Sequence, residues 1–152
     1  MKIRNIRKKD YEDVDRLLLQ LHQIDVTARP ELFSTIDHFI SRDSFDFQIE
    51  NRDNLALLAE EHGTVLGCCF VSLLDHSGMA EMKTAYINLL VVDEKYRRNG
   101  IGKALFLTVQ KRAKKMGAKR VDLTVWSHNQ IAVTAYEAYG MHPQRYIYEK
   151  VI

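Results

Sequence analysis

A chain of 152 residues that is 46% hydrophobic and 28% charged can sustain one sizeable core and leaves little room for a second domain. No apolar run reaches the roughly 20 residues of a membrane-spanning helix, and a formal net charge of only +2 supplies no whole-molecule field for nucleic acid. Cys68 and Cys69 are neighbours in an apolar run and match neither a disulfide staple nor a metal-ligand spacing, so they read as buried strand residues and no metal is expected.

Residues 1–6 alternate polar and apolar side chains and lack the apolar stretch and cleavage site of a secretory signal, which reads as a first strand in a cytoplasmic protein. Tyr11, Val14, Leu17, Leu18 and Leu21 recur at helical spacing, with Asp10 placed to cap the helix start. A second helical stretch carries Leu32, Phe33, Ile36, Phe39 and Ile40 after Pro30. Residues 43–52 read as a third, short helix of ambiguous period, because Phe45, Phe47 and Ile49 also alternate as a strand would. Three antiparallel strands follow, 55–59, 65–74 and 83–92, with turns at His62-Gly63 and His76-Ser77-Gly78. A helix over 100–116 shows the stripe Ile101, Leu105, Val109, Ala113, with Gly117 as its stop. A strand over 120–126, a helix over 129–139 and a closing strand over 145–151 complete the order. The sum, over 1–152, is a single α+β domain: a three-layer α/β/α arrangement whose mixed, mostly antiparallel sheet carries helices on both faces.

The chemistry concentrates where the 83–92 strand passes into Arg97-Arg98-Asn99-Gly100-Ile101-Gly102-Lys103 and then directly into a helix. Glycines let the backbone approach a ligand, first-turn N–H groups lack intrahelical acceptors, and the helix dipole favours an anion there. Arg97, Arg98 and Lys103 add positive charge, so the segment suits a phosphate-bearing ligand. It is not a P-loop: Arg97 stands where the first glycine belongs, and Ala104 leaves no hydroxyl for magnesium. The dinucleotide fingerprint also fails, since Leu105 occupies its third glycine position. A structural turn with a solvated basic face remains the plain alternative, and nucleic-acid binding through Arg97, Arg98 and the following lysines ranks below both.

Read with its flanks, 87–102, Ile-Asn-Leu-Leu-Val-Val-Asp-Glu-Lys-Tyr-Arg-Arg-Asn-Gly-Ile-Gly, resembles the acetyl-CoA signature of the GCN5-related N-acetyltransferases. Leu123-Thr124-Val125-Trp126-Ser127-His128-Asn129, followed by Ala132, Tyr136, Glu137 and Gly140-Met141, is similar to that family's later strand-loop-helix motif. The resemblance implies that the 83–92 strand splays from the strand ending near Trp126 and that the pantetheine arm of acetyl-CoA lies in the gap. Backbone groups of Leu90, Val91 and Val92 then hold the arm, and the N–H groups from Arg98 through Asn99, Gly100, Ile101, Gly102 and Lys103 hold the pyrophosphate. Leu90 N–H faces the thioester oxygen, Asn129 contacts the arm as well as capping its helix, and Tyr136 is the catalytic acid beside the CoA sulfur.

The implied activity is transfer of acetyl from acetyl-CoA to a primary amine by direct attack in a ternary complex. A small amine such as a polyamine, amino sugar or amino acid is the first reading, with Asp37, Asp43, Asp46 and Glu50 available to attract it. A protein N-terminus or lysine is the runner-up, and a non-catalytic acyl-CoA sensor is the third. Asn88 stands where family members carry a basic carboxylate, which leaves Glu81, His76, His128 or a water chain as base candidates. The acceptor pocket is expected from the first two helices and the loops near His76 and Arg145. No nucleic acid or membrane partner is expected; the resemblance allows a homodimer, although no apolar seam for one is visible in the sequence.

Overall fold

A computed structural model gives the fold and describes residues 1–75 and 82–152. Strand β1 is Lys2–Asn5, and a one-turn 3₁₀ helix at Lys8–Asp10 leads into α1, Tyr11–Ala28. Next come α2, Arg42–Glu50; β2, Asn54–Glu61; β3, Thr64–Asp75; and β4, Lys83–Val92. A 3₁₀ turn at Glu94–Tyr96 precedes α3, Ile101–Lys115, which is followed by β5, Arg120–Leu123, and α4, Gln130–Ala138.

Among the described residues the sheet runs β1-β2-β3-β4-β5, antiparallel except for the parallel β4–β5 pair. This is the expected α+β fold. Neighbouring strand residues enter opposite layers because successive side chains alternate across a pleated sheet. Leu58, Cys68 and Phe70 meet Val14, Leu17 and Leu18 of α1 and Phe45 of α2, while Leu57, Cys69 and Val71 meet Ile101, Leu105, Val109 and Ala113 of α3.

One irregularity sets up the site. The β3–β4 register passes from Phe70↔Leu89 to Val71↔Ile87, so Asn88 is an extra residue in β4. The bulge reverses the phase of the strand. Ile87 and Leu90 therefore share the α3 layer although they are three residues apart, and Leu89 and Val91 turn to the α1 layer.

Gly67 opposes Val92 at the far end of this pairing, where a Cβ would stand 2.7 Å from the Val91 carbonyl oxygen and 3.3 Å from Val92 Cα. Backbone atoms cannot move aside as a side-chain tip can. Gly67→Ala is expected to cost about 1–3 kcal/mol, read as a lower midpoint in chemical denaturation.

Several sequence expectations change. The 43–52 ambiguity resolves to helix: Phe45 is fully buried and Phe47 is 66% exposed, a contrast that strand alternation would not produce. Asp10 stands at the start of α1 but does not cap it, because its carboxylate accepts hydrogen bonds from Arg4 and from the Arg7 N–H. β5 ends at Leu123, three residues short of Trp126. The helix expected over 32–40 does not form. There the Asp15 carboxylate accepts the Phe39 and Ile40 N–H groups at 2.8 and 3.2 Å, and the Tyr11 hydroxyl donates to the Ile40 carbonyl at 2.7 Å. Side chains of α1 thus supply the bonds that a helix would have made internally.

The closing strand over 145–151 is also absent. Residues 142–152 are exposed and carry no regular structure, with Tyr146, Ile147 and Tyr148 at 74, 86 and 91% exposure. Their β-forming composition is real, but no strand of the described chain pairs with them.

Candidate active site

The parallel ladder between β4 and β5 begins at Thr84↔Arg120 and stops at Ile87↔Leu123. From Asn88 to Val92, β4 pairs with no strand but β3 among the described residues, leaving most of its other edge open to an extended ligand. The opening starts at the bulge. Asn88 Nδ2 donates to Ser72 Oγ at 2.8 Å, so this amide is held by β3 and offers no base.

Beyond β4 the turn is locked from several sides. Arg16 of α1 reaches the buried Asp93 carboxylate at 2.6 Å, and the Glu94 N–H donates to Gln20 at 3.1 Å. Arg97 Nε donates to the Val92 carbonyl at 3.1 Å, which makes Arg97 a clip on the end of β4 as well as a source of charge. Asn99 Nδ2 donates to the Tyr96 and Arg97 carbonyls at 3.1 and 3.3 Å. Arg98 and Gly100 take left-handed conformations, with φ of 67° and 76°. Left-handed residues within a turn build the N–H concavities that bind anions, and for Arg98 the conformation costs roughly 1–2 kcal/mol.

Burial alone would raise the Asp93 carboxyl, but hydrogen bonds from Arg16 and the Lys95 N–H outweigh it and hold the group below its ordinary value of 3.8. A depressed carboxyl contributes stability that is present above the unfolded value and is lost as pH falls through the folded one. The melting temperature should therefore drop on acidification below about pH 4, and Asp93→Asn should remove part of that drop.

The helix starts differ in a way that bears on ligand binding. Ser41 accepts the Ser44 N–H and closes the start of α2; Asn129 accepts the Ala132 N–H at 3.2 Å and closes α4. α3 begins at Gly100 with no side-chain cap, so its first-turn N–H groups remain available. Gly102 lies in that first turn, where a Cβ would stand 3.3 Å from the Tyr139 hydroxyl and 3.5 Å from Val92 Cγ2. An uncapped helix start, a tight glycine and flanking Arg98 and Lys103 form a cradle that fits a pyrophosphate.

The expected residues divide by what they expose. Val91 and Ile101 are buried core residues that can offer only backbone, Leu90 and Val92 are half-buried beside Tyr139, and Arg98, Asn99, Gly100 and Lys103 are exposed. Tyr136 is half-buried on α4, edge-on to Tyr139 at a centroid distance of 6.2 Å. Burial pushes its phenol well above the ordinary value of 10, with the Cys69 thiol and Tyr139 adding to the shift. Cys69 pairs with Leu90, on the strand segment where the opening lies. Burial also pushes the Cys68 thiol up to about 12 and raises Cys69, so neither is a thiolate at neutral pH.

An open cleft of about 910 Å³ runs along α1 from Glu12 and Asp15 to Arg97 of the turn and His128 beyond β5. Its exposed acids are Glu12, Asp37 and Glu94, against Arg16 and Arg97; Asp15 also lines it but is buried, its carboxylate held by the Phe39 and Ile40 N–H groups and 2.8 Å from His38. Of the acids expected to draw a cation, Asp37 lines the cleft, whereas Asp46 and Glu50 pair with Lys8. His128 is not the solvated loop residue its position suggests: it lies 2.7 Å from Asp25 and stacks on Trp126. Phe33 meets the same indole edge-on, and Arg29 lies over it. No spacing in the sequence announces this cluster, since it joins α1, the 29–40 loop and the segment after β5. Arg145 is exposed and does not line the cleft; His76 and Glu81 lie outside the described residues.

Comparison with known proteins agrees with this geometry. The sequence profile of the acetyltransferase (GNAT) family matches residues 18–141. L-ornithine N5-acetyltransferase NATA1 of Arabidopsis thaliana is 31% identical over 103 residues, which are 67% of this chain and 45% of that protein. The matched stretch thus spans less than half the length of that relative. A tetramutant of the BH1408 protein of Bacillus halodurans superposes with a TM-score of 0.95 at 26% identity, over 100% of both chains. The aminoglycoside N-acetyltransferase AAC(6')-Iy in complex with CoA shares the fold, with a TM-score of 0.74 at 17% identity over 99% of each chain. Among the described residues no helix is long and apolar enough to cross a membrane. With its profile match covering most of the chain and the splayed strand pair in place, this chain belongs to the acetyltransferase (GNAT) family.

Proposed function

We propose that this protein transfers an acetyl group from acetyl-CoA to the primary amine of a small cationic molecule. One observation carries the reading: the open edge of β4 leads straight into an uncapped, basic helix start, a continuous track of donors for an amide-rich arm ending in a pyrophosphate. Acetyl-CoA supplies an activated thioester carbonyl. Backbone groups of Leu90 and Val92, which face away from β3, hold the arm, while Val91 turns its backbone to β3; N–H groups from Arg98 to Lys103 hold the phosphates, and the Leu90 N–H polarises the thioester oxygen. Asn129 spends its side-chain oxygen on the α4 cap and keeps its amide N–H groups for the arm. Tyr136 holds its proton at neutral pH, as an acid that protonates a departing thiolate must.

An alkyl ammonium with pKa near 10 lies about three units from its neutral form at pH 7, a cost on the order of 4 kcal/mol. Asn88 cannot take that proton, so solvent accepts it through the open cleft. The acidic rim supports a cationic acceptor, and the name of the plant relative, an ornithine acetyltransferase, points to the same class. Direct transfer fits because both thiols stay protonated. Two free buried cysteines also suit the reducing cytoplasm.

The test is release of CoA thiol with a panel of ornithine, spermidine, an aminoglycoside and a basic peptide. Turnover of any of the first three supports the proposal, and turnover of the peptide alone moves the acceptor to protein amines. Binding of acetyl-CoA with no turnover on the whole panel would make the chain a sensor, the reading that the tethered Asn88 favours.

A further inference from the structure

The cleft holds a histidine–carboxylate pair that the reaction above leaves without a task. His128 Nε2 lies 2.7 Å from Asp25 Oδ1, and the two side chains are 19 and 20% exposed. A carboxylate only accepts, so the ring donates from Nε2 and keeps a lone pair on Nδ1. Among the described residues no hydrogen bond engages Nδ1. The ring is also held in orientation: it stacks on Trp126 at 5.6 Å and 13°, and Phe33 and Arg29 pack on the same indole. A second such pair in the cleft, His38 with Asp15, is built differently. His38 is 64% exposed, and the Asp15 carboxylate is shared with the Phe39 and Ile40 N–H groups, so that pair anchors the 37–40 loop.

Arg97 and His128 line the same cleft, and Arg97 is bonded to Val92 at the end of β4, while His128 lies beyond the end of β5. The cleft therefore spans the mouth of the β4–β5 opening on the α1 side. Tyr136 stands with Tyr139 on the α3 side. A thioester lying in the opening meets the amine from one face of the sheet and the acid from the other.

We propose that His128 is the base that takes the second amine proton as the C–N bond forms, with Asp25 as its positioning residue. The inference rests on the acetyl transfer proposed above, in which solvent takes the first proton and leaves a neutral amine. The amine nitrogen attacks the thioester carbonyl carbon, and His128 Nδ1 accepts the N–H proton that the new amide nitrogen must lose. The C–S bond breaks with its electron pair on sulfur, which takes the Tyr136 proton. His128 then passes its proton to cleft water, and water returns one to Tyr136. One amine and one acetyl-CoA thus give one amide and one CoA thiol, with both side chains restored. The Asp25 carboxylate stabilises the imidazolium while it exists.

The test is kcat for the native chain, His128→Gln and the isosteric Asp25→Asn, on the panel amine with the highest native turnover, from about pH 5.5 to 8.5. At the alkaline end His128→Gln should lose about 100-fold, Asp25→Asn should lose rate in the same direction, and both should bind acetyl-CoA within a few-fold of the native chain. The gap should narrow toward acid, because a protonated imidazole accepts nothing and the native chain then has no advantage. Asp25 of α1, Arg29 over the indole, and Glu94 and Arg97 across the cleft set where that narrowing falls. Retained kcat in His128→Gln would overturn the proposal. So would a loss of equal size at every pH in both variants, the mark of a pair that only ties α1 to the segment after β5. Absence of turnover by the native chain has a different meaning: it removes the transfer itself, and the base with it.

Discussion

Gly102→Asp is expected to weaken acetyl-CoA binding by about 100-fold or more, or roughly 3 kcal/mol, in calorimetric titration. Two physical effects act together. The Cβ meets the Tyr139 hydroxyl at 3.3 Å and Val92 at 3.5 Å, which tightens the first turn of α3 against β4. The carboxylate then stands at the uncapped helix start, among the N–H groups proposed to hold the pyrophosphate, and repels it. Gly102→Ala separates the two effects: it keeps the crowding without the charge and should lose about tenfold or less. Asp is itself a favourable residue near a helix start, so the fold should survive and the melting temperature should stay within a few degrees. Undiminished binding by Gly102→Asp would remove the cradle from the proposal.

Tyr136→Phe should leave acetyl-CoA binding within a few-fold of the native value and lower kcat by about 100-fold or more, the usual contribution of a positioned general acid. The substitution removes one oxygen and keeps the ring that stands edge-on to Tyr139. A structural role for Tyr136 would appear as lost stability with kcat retained. An acid role would also show in the pH profile, because a phenol raised by burial stays protonated well past neutrality. The native rate should therefore rise as the acceptor amine becomes neutral and fall only where the phenol ionises, and the variant should lack that alkaline fall.

The order of elements was legible wherever periodicity was strong. The stripe Ile101, Leu105, Val109, Ala113 reads as helix from spacing alone and occupies the core. The glycine-rich turn was legible for a different reason: alone it could be a structural turn, but read with its flanks, 87–102, it resembles the family's acetyl-CoA signature. Segments 32–40 and 145–151 misled because their partners are distant. Asp15 replaces the helical bonds of the first, and the second finds no edge within the described chain. The Arg16–Asp93 and Gln20–Glu94 contacts that fix the turn join residues more than seventy positions apart, which local spacing cannot reveal. The bulge at Asn88 was equally hidden, because an extra residue in a strand shows only against its partner.

Cys68 and Cys69 are adjacent in sequence, fully buried, and turned into opposite layers. They therefore act as two built-in clocks for the opening of the molecule. A thiol reagent reaches Cys68 only when the α1–α2 side lifts from the sheet and reaches Cys69 only when the α3–α4 side does. Equal labelling rates would mean that the two layers come apart together, and unequal rates would identify the side that breathes first.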